Sequence, residues 1–193
     1  MKSLEKYEKK LQRDMDKDRY QHTLGVMYTS ASLAMAYHYD VKQAMLAGLL
    51  HDCAKCVPHE KKLELCRKNH IETTPIEREN PFLLHAKVGA LLARKKYDVK
   101  DQEILHAIAV HTTGCPDMNT LDMILFVADY IEPGRDKAQN LSEIREMAFQ
   151  NLELTVEKIL SDTLHYLNEK SGGIDPMTEI TYEYYKNRRK LVV

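Results

Sequence analysis

The sequence predicts an all-α protein, and three observations carry that prediction. Apolar residues recur mostly at helical spacing. Hardly any stretch alternates apolar and polar residues as a half-buried strand does. Glycine and proline, the main breakers of regular structure, number only seven and six in 193 residues. Roughly eight helices are expected. The length suits one well-buried core, and no repeat, low-complexity tract or linker interrupts it. A single domain over 1–193 is therefore expected.

The helices can be placed in order. Residues 3–15 read as an amphipathic starter, and 19–38 follow with Leu24, Met27, Ala31 and Ala34 on one stripe. Asp40 can cap a helix that begins at Val41. That helix reads AMLAGLL, apolar all round, which suits a buried central position. Pro58 opens another helix through about Asn69. Residues 71–81, IETTPIERENP, read as an ordered loop. Helices are expected over 82–96, 101–111 and 119–132, the last ended by Pro133-Gly134. A long helix over 142–170, broken near Asn151, stops at Gly172-Gly173. Pro176 then opens the final helix as a first-turn proline.

Composition narrows the function. Basic and acidic side chains number 28 and 29, for a net charge of −1. That balance argues against a nucleic-acid binder that relies on bulk phosphate attraction, and leaves room for a local basic pocket serving a small anion. The N-terminal stretch has no apolar core of the secretory kind, and no apolar run approaches 18 residues, so no membrane span is expected. A cytoplasmic protein with cysteine thiols is the expectation. Helical surfaces of this kind can pair, so a homodimer is compatible with the sequence.

The stretch LLHDCAKC, residues 49–56, holds two competing pairs. Cys53 and Cys56 form C-x-x-C, but a redox motif of that kind needs a strand before it. A structural zinc site needs a second ligand pair, and Cys66 and Cys115 stand alone. His51 and Asp52 end an apolar helix, where the macrodipole disfavours a carboxylate and burial without a partner is costly. A nearby cation offsets both terms, although a hydrogen-bonded His-Asp pair would also answer them. Asp129 raises the same problem inside ILFVADYI, with Arg135 as an alternative partner. His22, within a helix, completes a hard nitrogen and oxygen set: His22, His51, Asp52 and Asp129. Such a set suits iron, manganese, zinc or magnesium. His85 and His111 lie in similar apolar contexts; His38, His59, His70, His106 and His165 read as surface or packing residues.

The segments RYQHTLGV (19–26), AGLLHDCAK (47–55), LLHAKVGA (83–90), AIAVHTTG (107–114) and VADYIEPGRD (127–136) appear in this order. Together they resemble the HD-domain superfamily of metal-dependent phosphohydrolases, and within it the YqeK-type family of symmetrical dinucleoside tetraphosphate hydrolases. The resemblance spans about 19–180. It implies an HD-domain helical bundle with its core at 19–136 and C-terminal helices at 142–190 completing a nucleotide site. It implies hydrolysis of a phosphoric anhydride bond, splitting diadenosine tetraphosphate into two ADP. It implies a metal on His22, His51, Asp52 and Asp129, with iron the usual ion, one or two in number, and manganese or another divalent metal as alternatives.

Asp52, Lys55, His85 and His111 are the expected catalytic group, the two histidines meeting either a second metal or phosphate. Arg19, Lys55, His85, His111, Thr112 and Arg135 are the expected phosphate and nucleotide contacts. SGGIDPMT (171–178) adds backbone freedom at its glycines ahead of a helix N-terminus, a favourable place for an anion. The resemblance extends the nucleotide contacts to Gly172, Gly173, Ile174, Asp175 and Pro176. Alternatives remain at this level: an HD phosphohydrolase acting on mononucleotides or other dinucleoside polyphosphates, or a non-catalytic nucleotide-sensing module.

Overall fold

The structure is a computed structural model that describes residues 2–138, 140–169 and 173–192, with side chains described within 4–188. Among these residues there are eleven α-helices and no strand. They are α1 (Lys2–Asp14), α2 (Lys17–Ala36), α3 (Val41–Leu50), α4 (His59–Lys68), α5 (Pro75–Glu79) and α6 (His85–Lys96). Then follow α7 (Gln102–Val110), α8 (Thr120–Ile131), α9 (Leu141–Met147), α10 (Leu152–Glu169) and α11 (Pro176–Val192). No helix among the described residues is long and apolar enough to cross a membrane.

The all-α expectation holds, but eight helices become eleven. Part of the excess lies in the expected loop 71–81. There Thr74 and Glu77 form a reciprocal capping box around α5, with Pro75 in the first turn. A 3-10 turn at Pro81–Leu84 delays the next helix to His85. The break expected near Asn151 is present and separates α9 from α10. The Asn151 side chain accepts from Leu154 N at 3.0 Å, so it caps α10 and ends the run from α9. Asp40 caps α3 as expected, accepting from the backbone N–H of Lys42 and Gln43.

One apolar cluster, extending from Leu11 to Tyr185, forms the main core. Helix α3 runs through its middle: Ala44, Ala47, Leu49 and Leu50 are all fully buried. Helix α2 lies along α3 and also meets α8, while α7 bridges α3, α6 and α8. Of the five histidines read as surface or packing residues, His106 has a specific partner. Its Nδ1 lies 2.9 Å from the carboxylate of the fully buried Asp122.

The α2–α3 crossing depends on Gly48. A Cβ added there would lie 2.8 Å from Met27 Cα and 3.1 Å from Met27 N. Both obstructing atoms are backbone, so relief requires the helices to separate. Gly48→Ala is therefore expected to lower stability by roughly 1–3 kcal/mol, the range for overpacked cores, despite alanine's better helix propensity. Urea unfolding checks this; an unchanged or raised midpoint would contradict the close crossing.

Candidate metal centre

Three histidines are set by one local device. His51, His85 and His111 stand where the chain leaves α3, enters α6 and leaves α7. In each, Nδ1 lies 2.7 Å from the carbonyl oxygen three residues earlier: Gly48, Phe82 and Ile108 respectively. A carbonyl can only accept, so Nδ1 carries the proton in each neutral ring and Nε2 is the free acceptor. His22, on α2, is set differently. Its Nδ1 lies 3.1 Å from Glu132 Oε1. The four rings pack edge to face in the order His22, His51, His111, His85, with centroids 5.1–5.4 Å apart.

Asp52 sits at the centre of this row, only 2% exposed. Its Oδ2 lies 2.8 Å from Arg19 Nη1, 3.5 Å from His51 Nε2 and 3.9 Å from His22 Nε2. Its Oδ1 faces the other end of the row: His85 Nε2 at 3.4 Å, and Lys55 Nζ and His111 Nε2 both at 3.8 Å. Asp129 Oδ1 lies 3.0 Å from His22 Nε2, 3.9 Å from His51 Nε2 and 3.1 Å from Arg135 Nη2.

The electrostatics follow from burial and these neighbours. Burial alone would raise both aspartates, but His51, Lys55 and His85 hold Asp52 well below the usual carboxylate range. His22 and His51 do the same for Asp129. Burial works against a charged His51, and the Asp52 charge outweighs it, leaving that ring raised. His85 and His111 are pushed down to about 3 and about 4, first by burial and then by neighbouring positive charge. They stand neutral at pH 7, as nitrogen ligands must.

The donor set fits a cation. His22 Nε2, His51 Nε2 and Asp52 Oδ1 are buried and make no hydrogen bond of acceptable geometry. Such orphaned groups are costly without a partner, and cation binding along this row would satisfy them. Two overlapping trios have ligand atoms within 4.8 Å of one another: His22, His51 and Asp129, and His51, Asp52 and His111. Together the trios contain the four residues expected from the sequence, share His51, and add His111.

The profile of the HD domain matches residues 19–134. The chain belongs to the HD-domain family. This HD-domain chain is 34% identical to a Bacillus subtilis protein named symmetrical bis(5'-nucleosyl)-tetraphosphatase, covering 90% of this chain and 92% of that one. It is 38% identical to a protein of the same name from Halalkalibacterium halodurans, covering 85% and 87%. A crystal structure from Clostridium acetobutylicum superposes with a TM-score of 0.92 at 36% identity, over 96% of this chain and 97% of that one. That protein is described as a predicted HD superfamily hydrolase involved in NAD metabolism. HD domains bind divalent metals, and this HD domain presents a cluster able to hold one.

The remaining expected contacts fall into place unevenly. Lys55 Nζ lies 3.1 Å from His85 Nε2, and the Thr112 hydroxyl lies 3.3 Å from His85 Nε2 and 3.4 Å from His111 Nε2. Arg19 and Arg135 are directed at Asp52 and Asp129. Gly172 lies outside the described residues. Gly173 packs on Ile76, where a Cβ would approach its Cδ1 to 2.7 Å. Asp175 is spent on α11, accepting from Met177 N at 2.9 Å, directly ahead of Pro176, and Ile174 is half-buried. Among the described residues, no hydrogen bond ties 173–176 to the cluster.

The cysteines do not form a pair. Cys53 Sγ faces Gly89 O on α6, and Cys56 Sγ faces Asp16 ahead of α2. Cys53 is buried, which pushes its thiol up to about 12, whereas Cys56 is exposed. Iodoacetamide is expected to label Cys56 in the folded protein and Cys53 only after unfolding, as read by peptide mass mapping. Equal labelling of both in the native state would contradict the geometry.

Sequence reading missed Glu132, although it sits inside the quoted VADYIEPGRD. The carboxylate is buried, with Oε1 on His22 Nδ1 and Oε2 accepting from Gly134 N at 2.6 Å. Two glycines make room for it: a Cβ at Gly25 would lie 2.5 Å from Oε2, and one at Gly134 3.0 Å away. A carboxylate behind a ligating histidine fixes its tautomer and raises its basicity. Glu132→Gln is expected to weaken divalent-metal binding by about tenfold or more with the fold retained. Titration calorimetry on metal-stripped protein tests this; unchanged affinity would remove Glu132 from the site.

Proposed function

We propose that this HD-domain protein splits diadenosine tetraphosphate symmetrically by water attack, releasing two ADP. One conjunction carries the reading. A buried histidine and aspartate cluster with orphaned ligand atoms occurs in a chain that matches, over most of its length, relatives named for that reaction. The whole chain would act as one domain, with the C-terminal helices completing the nucleotide site.

His22, His51, Asp52 and Asp129 would hold the metal, iron being the ion proposed. His85 and His111 would serve a second ion or meet phosphate directly. When bound, the metal supplies an acidic water at neutral pH and polarises a phosphoryl oxygen. The chain's own groups do the rest. Asp52, besides holding the metal, orients the attacking water. Lys55 is about a third exposed and meets phosphate oxygens beside His85. The Thr112 hydroxyl sits between His85 and His111 and can donate to the same phosphate. Arg135, 38% exposed, offers its free guanidinium edge to a phosphate while one nitrogen holds Asp129. Arg19 donates to Asp52 Oδ2 at 2.8 Å and so fixes how the carboxylate is turned. Residues 173–176 frame one nucleoside from the His85 side.

Metal-loaded protein incubated with diadenosine tetraphosphate is expected to yield ADP alone by chromatography, and His51→Ala is expected to reduce turnover to background. ATP plus AMP would move the attack to another bridge. No turnover with iron or manganese supplied would overturn the reading.

A further inference from the structure

A cavity of about 310 Å³ opens between the end of α8, the loop that follows it, and α10. Its volume falls at the lower end for small-molecule sites, which suits one nucleoside rather than a whole dinucleoside polyphosphate. The lining divides by chemistry. Tyr130 and Tyr166 supply aromatic surface, and Tyr166 is 46% exposed. Arg135 and Lys137 supply positive charge at the rim. Asp162 and Thr163 supply polar groups from α10. Asp162 is held in place, accepting from Lys158 at 2.7 Å and Asn140 at 2.9 Å. Each carboxylate oxygen keeps a further lone pair for a donor on a ligand.

Two contacts tie the cavity to the cluster. Tyr130 directly follows Asp129, and the Arg135 guanidinium binds Asp129 through both its backbone and its side-chain oxygen, at 2.8 and 3.1 Å. The rim is also set in advance. The Arg145 guanidinium donates to the carbonyls of Ile131, Glu132 and Arg135, each at 2.9 Å. The cavity therefore adjoins the His22 and Asp129 end of the imidazole row. Gly173 lies toward the other end: it packs on Ile76 of α5, and α5 packs on the 3-10 turn whose Phe82 carbonyl sets His85.

We propose that this cavity receives the second nucleoside of a dinucleoside polyphosphate. It rests on the proposed function for the identity of the ligand. Its base lies against Tyr166 and Tyr130, as bases stack on aromatic side chains without needing sequence readout. A donor on the base or ribose meets Asp162, and Arg135 with Lys137 takes the adjoining phosphates. A symmetrical substrate, cut at its centre, then leaves one ADP at each end of the imidazole row.

The test uses ADP as the probe and the metal-loaded full chain. Calorimetry is expected to find two ADP per chain in the wild type. In Tyr166→Ala one of the two should weaken at least tenfold, leaving one; Tyr166→Phe, which keeps the ring, should retain two. Tyr166 lies on the surface of α10, so circular dichroism is expected to show an intact fold. A wild-type stoichiometry of one, or two undiminished sites in Tyr166→Ala, overturns the subsite. The readout does not depend on turnover. Two sites falling to one without cleavage of diadenosine tetraphosphate would sink the proposed reaction and leave the subsite standing. Cleavage with a wild-type stoichiometry of one would do the reverse.

Discussion

A carboxylate with 2% exposure at the end of an apolar helix sets the terms for the rest of the molecule. Asp52 can remain ionised there only if positive or proton-donating groups surround it. Its neighbour His51, just past the end of α3, is one of them. The others come from elsewhere: Arg19 and His22 on α2, Lys55 on the following turn, His85 on α6, and His111 after α7. The helices are packed so that their ends, rather than their middles, meet at this point. Chain ends and turns are where side chains can be aimed without interrupting helical hydrogen bonding.

Close packing supplies the precision. Gly48 lets α2 approach α3 closely, and its carbonyl oxygen also sets the His51 ring. One residue thus governs both the spacing of the two helices and the orientation of a ring between them. A similar economy appears at Gly89, whose carbonyl receives Cys53 and whose missing side chain admits His51 O at 3.2 Å from where a Cβ would stand. Cys53 is a packing group next to the segment that carries His51 and Asp52, whereas Cys56 is exposed.

Much of this was legible in the sequence. The apolar run AMLAGLL announced a buried helix, and a charged doublet at its end announced an unusual demand. The second misplaced carboxylate, Asp129, raised the same demand from a distant helix. What escaped were features whose local patterns look ordinary. The capping box at Thr74 and Glu77 was hidden in a proline-containing stretch that read as a loop. Glu132 was not singled out, because its burial depends on two glycines, Gly25 and Gly134, more than a hundred residues apart. Lys62 lies in the charged run HEKKLELC, yet it is 2% exposed and donates to the Lys55 carbonyl at 3.3 Å. Local periodicity reports which face of a helix is apolar, not which polar side chain the tertiary structure will cover.

The cluster is drawn from segments spread widely along the chain; His22 and Glu132 alone are 110 residues apart. In an unfolded chain these donors are far apart on average, and no short fragment contains more than two of them. A cation that requires several together therefore binds only the folded form, and mass action converts its affinity into conformational stability. The same ion that fits the cluster would act as a clasp on the whole bundle. Resistance to heat or proteolysis would then rise and fall with the ion's supply, making the protein's lifetime a readout of cellular metal status.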